Sequence, residues 1–338
     1  MDQTIALLGG TGFIGSRLVS ALIDAGKHVR IGTRRREHAR HLMMLPVEIV
    51  ELESLDERSL ARFVAGAHAA VNLVGVLHGG HGTPYGAGFE RAHVALPAAL
   101  ASACIEAGVR CLLHMSALGA NSHGASMYQR SKGDGEAALH AVAATDSLAL
   151  TIFRPSVVFG PGDAFLNTFA RLHRTLPAIP LAMPDAQFQP VFVGDVARAI
   201  VNTLDLAAAR GKTYELGGPK VYTLEALVRY CGTLAGREAP IVRLPDAIAR
   251  LQAAFLRMPA GRAGDHARQP RVDVGAERAV RPARAGARHP AREPREHRAR
   301  VSRRRGAAVP LRLVPLAPLG AAGRRFPSSN LVLIGTPP

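Results

Sequence analysis

The chain has 338 residues, which is long enough for one large domain and a smaller lobe. Its formal charge of +16 lies mainly in residues 259–338, where 17 Arg against five acidic residues give +12 and leave +4 for the rest. The mildly basic body of the chain therefore excludes a specific nucleic-acid-binding domain, and no apolar stretch is long enough to span a membrane.

Strand and helix patterns alternate in the first half of the chain. Apolar runs predict strands at residues 4–8, 28–32, 47–50, 69–74, 111–115 and 148–153. Periodic patterns predict helices at residues 14–25, 56–64, 94–107 and 127–142, the second with Asp56 as its N-cap. This alternation predicts an α/β fold with a doubly wound parallel sheet.

The first predicted strand leads directly into a glycine-rich turn, Gly9-x-x-Gly12-x-x-Gly15, and then into a helix. Glycine permits the tight turn, the approach of a pyrophosphate to the backbone, and close packing of the helix on the strand. The helix N-terminus offers free N–H groups and partial positive charge to the phosphates. In this context the motif predicts a Rossmann-type dinucleotide-binding core; the alternative is a glycine-rich turn in another α/β protein.

The pattern changes in the second half. Four prolines between residues 176 and 190 predict loops of a small substrate lobe, followed by a strand-to-helix pattern at 191–206 and a helix at 223–235. We therefore divide the chain into three parts. These are a nucleotide-binding core at 1–160, the remaining sheet elements and substrate lobe at 161–258, and an Arg/Ala/Pro-rich tail at 259–338.

The tail is predicted to be disordered, because its composition leaves too little apolar surface to offset the entropy of ordering. As a native basic tail it would bind RNA or anionic lipid without specificity. Out-of-frame translation of a GC-rich gene gives the same residue mixture. Suitable synonymous codons for residues 266–274, read one nucleotide later, spell Thr-Arg-Asp-Asn-Leu-Ala-Ser-Met, which favours the frameshift interpretation.

Tyr128 and Lys132 lie four residues apart on a predicted helix and therefore share one face. An ammonium close to a phenol lowers the pKa of the phenol, which would make Tyr128 an acid/base for hydride chemistry at a carbonyl. The alternative is an exposed helix pair. Ser116 follows the strand at 111–115, at the sheet edge where ligands gather, so its hydroxyl either holds a substrate carbonyl or only caps a turn.

The segments at residues 11–15, 71–75, 116–120, 128–132 and 153–163 occur in the order and spacing of a known family. Over residues 3–257 the chain resembles the atypical short-chain dehydrogenase/reductases, most closely the subgroup of the NADPH-binding accessory subunit of respiratory complex I, with epimerase/dehydratase-like bacterial relatives. The resemblance implies Ser116, Tyr128 and Lys132 as catalytic residues. It implies cofactor contacts at Gly9, Thr11, Gly12, Phe13, Ile14, Gly15, Val74, Gly75, Lys132 and Pro155. The tail departs from the family.

The residues after the second strand bear on the choice of cofactor. An acidic residue there normally selects the 2′-hydroxyl of NAD. This chain instead has Arg34 followed by two more arginines, and a guanidinium suits a 2′-phosphate. The sequence therefore favours NADP(H) over NAD(H), with a solvated basic loop as the alternative. Glu53, after the third strand, is expected near the adenine by resemblance to relatives.

The resemblance implies an NADP(H)-binding reductase that moves hydride to or from a carbonyl or quinone-type small molecule of unknown identity. Two alternatives stay open: a non-catalytic NADPH-holding structural or assembly factor of a membrane-associated respiratory or quinone-biosynthesis complex, and a nucleotide-sugar epimerase or dehydratase. Cysteine usage and the early first strand predict a cytoplasmic protein, peripheral at the inner face of a membrane in the complex-bound case. His78 and His81 lack a third ligand, which favours a loop over a metal site.

Overall fold

The structure, a computed structural model, describes residues 3–144, 148–245 and 332–333. All of these residues belong to one compact unit. Its centre is a parallel sheet in the order β14-β11-β6-β5-β4-β1-β2-β3. These strands are β1 Thr4–Leu8, β2 His28–Thr33, β3 Val47–Glu51, β4 Ala69–Asn72, β5 Cys111–Met115, β6 Ala149–Pro155, β11 Thr213–Gly217 and β14 Val332–Leu333.

Helices cover both faces of the sheet. The helices of the described residues are α1 Phe13–Asp24, α2 Glu57–Val64, α3 Ala87–Phe89, α4 Leu96–Glu106, α5 Met127–Ala143, α6 Phe165–Thr175, α7 Val193–Asp205 and α8 Leu224–Ala235. Of these, α6 and α8 pack against each other and against the strand Ile179–Leu181 in the lobe. One buried cluster joins α1 and α7 to the first face, and a second joins α2, α4 and α5 to the other. The predicted doubly wound parallel sheet is confirmed.

Helices α2, α5 and α8 each begin at a capping side chain. The Asp56 carboxylate accepts from the Ser59 N–H, which confirms the predicted N-cap of α2. Ser126 and Gln129 form a reciprocal capping box at the start of α5, the helix that carries Tyr128 and Lys132. The helix predicted at 94–107 begins earlier than expected, because a π-helical segment, Glu90–Ala95, precedes α4.

The prediction of loops throughout residues 176–190 was wrong. Two short strands lie there, β8 Ile179–Leu181 and β9 Gln187–Phe188, which pair with β13 Ile241–Arg243 and β12 Tyr222–Thr223. Proline is compatible with β8 because this strand has a single partner and so needs hydrogen bonds on one side only. A further short pair joins β7 Val158–Phe159 to β10 Val191–Phe192.

The predicted tail lies outside the described residues except at Val332–Leu333. These two residues depart from the predicted disorder, because their backbone pairs with Leu216 and Gly217 of β11. An apolar, β-branched stretch at 331–334 gives this part of the tail the composition of a strand.

Candidate functional site

The carboxyl ends of β1, β4, β5 and β6 bring the predicted site segments to one edge of the sheet. The glycine-rich turn follows β1, Val74 and Gly75 follow β4, Ser116 follows β5, and Pro155 ends β6. In an open parallel sheet this edge is where ligands bind. The strand order thus assembles segments that are more than 140 residues apart in the chain.

The glycine-rich turn is tightly packed against its own backbone. Gly9 has a φ of +80°, and a Cβ built on Gly15 would lie 2.1 Å from the Gly9 carbonyl oxygen. Helix α1 begins after Gly12 with no side-chain cap among the described residues and no acidic residue in its first turn. Its first N–H groups are therefore available to an anion, and Thr11, Phe13 and Ile14 lie beside them, none of them buried.

Lys132 is buried, with only 3% of the residue exposed. Its Nζ donates a hydrogen bond to the Met115 carbonyl oxygen at 2.9 Å, at the end of β5. Burial lowers the pKa of Lys132 to about 8, and the nearby Glu136 carboxylate opposes this shift. A Cβ on Gly75 would lie 3.4 Å from Nζ, so the missing side chain leaves the ammonium open on that side.

The Tyr128 hydroxyl does not show the predicted lowering of its pKa. Burial raises the pKa of Tyr128, and the Lys132 charge does not offset this effect. The reason is geometric, because the Lys132 ammonium is directed at the Met115 carbonyl oxygen. The ring of Tyr128 packs edge-on against His93, with centroids 5.5 Å apart.

Ser116 lies at the end of β5, where its N–H donates to the Phe153 carbonyl oxygen at 2.7 Å. The residue is 4% exposed, and its Oγ has no hydrogen-bond partner among the described residues. A buried hydroxyl without a partner is uncommon in folded proteins. It is suited to receive a ligand oxygen at this edge.

Two buried histidines at the site were not identified from the sequence. His93 Nε2 accepts from the Val76 N–H at 3.0 Å, and its Nδ1 lies 2.8 Å from Ser131 Oγ. Because Ser131 Oγ donates to the Tyr128 carbonyl oxygen at 3.0 Å, Nδ1 must be the donor in the His93–Ser131 bond. Burial, aided by the Lys132 charge, lowers the pKa of His93 to about 3, so the ring is neutral.

His114, in the middle of β5, is the second. Its Nδ1 lies 3.2 Å from Asn72 Nδ2, and the Asn72 Oδ1 accepts from the Val74 N–H at 3.0 Å. Its Nε2 has no partner among the described residues, and burial holds its pKa well below the usual value. A histidine inside an otherwise apolar strand is the sequence feature from which this site residue could have been predicted.

Arg154 and Glu136 form a part-buried ion pair behind Lys132. Arg154 Nε lies 2.9 Å from Glu136 Oε1, and this bond is the main cause of the raised pKa of Arg154. Glu136 is one helical turn from Lys132, so the pair fixes the charge environment of the ammonium.

The predicted adenosine-side residues lie in exposed loops. Arg34 follows β2 and is exposed, while Thr33 Oγ1 donates to the Arg35 carbonyl oxygen at 2.9 Å. Glu53 lines a cleft of about 530 Å³ together with Ser59 and Arg62 of α2. His78 and His81 are exposed, and within the described part of the chain no three His, Cys, Asp or Glu residues are arranged to hold a metal ion.

The described residues contain no helix that is both long and apolar enough to cross a lipid bilayer.

Comparisons with known proteins give one family match. The model of the family described as "NAD dependent epimerase/dehydratase family" matches residues 5–217. The chain is 33% identical over 231 residues to mouse "NADH dehydrogenase [ubiquinone] 1 alpha subcomplex subunit 9, mitochondrial", which covers 66% of this chain and 59% of the subunit. This chain spans about three-fifths of the length of that subunit from mouse, Arabidopsis thaliana and Rattus norvegicus. It is 30% identical over 245 residues to the ceramide reductase of Caulobacter vibrioides, covering 72% of this chain and 74% of that enzyme.

Solved structures show the fold. The dTDP-glucose 4,6-dehydratase DesIV of Streptomyces venezuelae, crystallised with NAD, superimposes with a TM-score of 0.63 at 21% identity. The match covers 72% of this chain and 84% of that chain. At this identity the likeness supports the architecture and carries no argument about the reaction.

Proposed function

Since the chain belongs to the NAD-dependent epimerase/dehydratase family, we propose that it is an NADP(H)-binding reductase acting on a carbonyl or quinone-type substrate. The observation that carries this proposal is the position of Lys132 and Ser116 together at the sheet edge that holds the glycine-rich turn, with Tyr128 one helical turn before Lys132 on α5. Ser116 contributes a buried Oγ without a partner, and Lys132 contributes a buried ammonium facing the Gly75 backbone.

The residues present fit a nicotinamide dinucleotide. The uncapped start of α1 would hold the pyrophosphate, and the contact of Gly15 with Gly9 keeps that helix close to the turn. Lys132 would bind the nicotinamide ribose across Gly75. When bound, the dinucleotide supplies or accepts the hydride.

The protein supplies the proton. Tyr128 would donate its phenolic proton to the substrate oxygen as hydride arrives at carbon, and Ser116 Oγ would donate a hydrogen bond to the same oxygen. Because burial raises the pKa of Tyr128, the phenol is protonated at neutral pH, which suits reduction better than oxidation. To stabilise the phenolate that remains, the Lys132 ammonium would have to turn from the Met115 carbonyl oxygen toward Tyr128.

The preference for NADP(H) rests on the exposed arginines after β2. No acidic residue stands between Arg34 and Glu37 to compete with a 2′-phosphate for the Arg34 guanidinium. The charge reversal Arg34→Glu should weaken NADPH binding by about tenfold or more, because one charge-assisted hydrogen bond is lost, and should not weaken NADH binding, because a carboxylate there suits a 2′-hydroxyl. Arg171→Glu, at an exposed arginine on α6, is the matched control.

The test of the reductase uses the full chain loaded with NADPH. Nicotinamide absorbance and fluorescence are followed as quinones, aldehydes and ketones are added. We expect oxidation that Tyr128→Phe abolishes and that Tyr230→Phe, an exposed tyrosine on α8, leaves intact. Oxidation at equal rates in both variants would refute the assigned role of Tyr128.

A second function is favoured by one observation. The Lys132 ammonium bonds to the Met115 carbonyl oxygen rather than acting on Tyr128, which fits a protein that holds NADPH without turnover. The relatives named as complex I subunits agree with this alternative. In that case the same assay gives stoichiometric NADPH binding, slow exchange and no oxidation, and we propose a membrane-associated respiratory or quinone-related complex as the partner.

The third candidate, a nucleotide-sugar epimerase or dehydratase, follows from the family name alone. It predicts a preference for NAD and binding of UDP-glucose, both measured in the same titrations.

A further inference from the structure

The loop that follows β4, residues 77–88, has a fixed path. It is called the β4 loop below. At its neck the Gly88 N–H donates to the Gly79 carbonyl oxygen at 2.8 Å. A Cβ on Gly86 would lie 2.4 Å from that same oxygen, and one on Gly79 would lie 2.3 Å from the Phe89 ring. The backbone is therefore closed on itself where it leaves and rejoins the fold.

Two residues of α5, one helical turn apart, hold the tip of this loop. Arg130 donates from Nε and Nη2 to the Pro84 carbonyl oxygen at 3.0 and 2.8 Å. The Tyr85 hydroxyl donates to Asp134 Oδ2 at 2.8 Å. Burial, together with this bond to the carboxylate, raises the pKa of Tyr85, so it stays a donor throughout the neutral range.

Arg130 also holds a second loop. Its Nη1 donates to the carbonyl oxygens of Gly124 and Ala125 at 2.9 and 3.1 Å. These residues belong to the segment 117–126, the β5 loop, which connects Ser116 to the start of α5. One guanidinium thus ties together the two loops that flank Ser116 and Tyr128.

The residues that flank the β4 loop on either side contact Tyr128 or its neighbour His93. Phe89 packs edge-on against the Tyr128 ring with centroids 6.4 Å apart. At the other end the Val76 N–H is held by His93, whose ring also packs on Tyr128. The tied loops expose one large apolar side chain each, Leu77 at 70% and Leu118 at 45%.

We propose that Arg130 and Asp134 are positioning residues that fix the β4 and β5 loops as walls of the substrate cleft, and that Leu77 and Leu118 on these walls select an apolar, uncharged acceptor. This inference rests on the proposed reductase function and names its substrate class. A nucleotide sugar needs cationic side chains to bind its diphosphate. The Arg130 guanidinium already donates its hydrogen bonds to main-chain carbonyl oxygens, so it does not supply such a cation.

The first test measures, in the full chain, whether the hydrogen bonds of Arg130 and Asp134 hold the two loops. Tyr85→Phe keeps the ring and removes one hydrogen bond, which should speed amide exchange of the β4 loop by about tenfold. Arg130→Gln should speed exchange in both loops, and Arg130→Lys should restore part of the protection. Arg229→Gln, which removes an exposed helix arginine paired with Glu225 on α8, is the control. Unchanged amide exchange in the two loops would overturn the claim that Arg130 and Asp134 fix them.

The second test measures selection, with decylubiquinone as the apolar probe and UDP-glucose as the charged one. Arg130→Gln and Leu77→Asp should each raise the KM for decylubiquinone by about tenfold and leave the Kd for NADPH unchanged. This factor corresponds to the free energy of burying one large apolar side chain. A parallel loss of NADPH affinity, or tighter binding of UDP-glucose than of decylubiquinone, would overturn the proposal.

The two tests separate this inference from the function it rests on. If the wild-type protein binds NADPH but oxidises none with decylubiquinone or with the aldehydes and ketones of the first assay, the reductase function fails. Quenching of bound NADPH fluorescence then reports probe binding without turnover. Quenching by decylubiquinone that Leu77→Asp weakens would still support the apolar cleft, and quenching that is insensitive to Leu77→Asp would refute it.

Discussion

The replacement Gly15→Ala provides the sharpest test of the nucleotide cradle. The added Cβ would lie 2.1 Å from the Gly9 carbonyl oxygen and 2.7 Å from two Gly10 backbone atoms. Ordinary contact begins at 3.4 Å, so the turn and the helix must separate by about 1.3 Å. The obstacle is backbone on both sides, which cannot be relieved by a change of rotamer.

The expected cost follows from this geometry. Overpacking against a rigid neighbour typically costs about 1–3 kcal/mol, and contact with backbone puts this variant near the upper value. For a domain of this size each kcal/mol corresponds to about 2–4 °C, so we expect the Tm to fall by about 6–12 °C. NADPH should bind at least tenfold more weakly, because the N–H groups of α1 move away from the pyrophosphate.

The matched control is Gly12→Ala in the same turn. Its Cβ would lie 3.3 Å from the Gly9 carbonyl oxygen, and its φ of −83° is open to any residue. This variant should keep its Tm within about 2 °C, since only small adjustments are needed. Thermal unfolding with and without NADPH measures both effects. A Gly15→Ala protein as stable as Gly12→Ala would refute the reasoning.

Three further predictions concern Lys132, the start of α5 and the substrate lobe. The pKa of Lys132 falls from 10.5 to about 8 on folding, so the cofactor-free protein should gain about 3 kcal/mol of stability as the pH rises from 8 to 10.5. Urea unfolding measured at each pH should show this gain in the wild type and not in Lys132→Met. Ser126→Ala removes the capping box and should cost about 1 kcal/mol in the same assay, whereas a cost near zero would mean that packing alone fixes the start of α5. His173→Phe leaves the buried Val228 carbonyl and Ala239 N–H without their partner and should cost about 2–4 kcal/mol; equal stability would show that water or repacking replaces both bonds.

Local sequence patterns predicted the central strands of the sheet well, because β1, β4 and β5 are buried on both faces and are therefore continuous apolar runs in the sequence. Residues 4–8 and 111–115 were predicted with the bounds that β1 and β5 have. The short strands of the lobe were not predicted. Each has two or three residues, too few for any period to emerge, and their pairing depends on partners more than 30 residues away.

The residues of the candidate site were predicted from motifs, while their interactions were not. The spacing of Tyr128 and Lys132 places them on one helix, but it does not say where the ammonium points. That direction is set by the Met115 carbonyl oxygen on a neighbouring strand. The sequence did not predict His93 as a site residue, because its two hydrogen-bond partners lie on a loop and on another helix, far from it in the chain.

The hydrogen bonds of His93 determine how the site responds to acid. Imidazole is the group that ordinarily changes charge near neutral pH. In this protein the ring nearest Tyr128 has one nitrogen donating and the other accepting, and His114 is likewise held neutral by burial. Between pH 5 and pH 7 the His93 ring gains no proton, the lowered pKa of His114 disfavours protonation of that ring as well, and Lys132 keeps its charge. Rates measured at any pH in this interval therefore sample one protonation state of His93 and Lys132, and an acidic limb in a rate profile would have to come from another group.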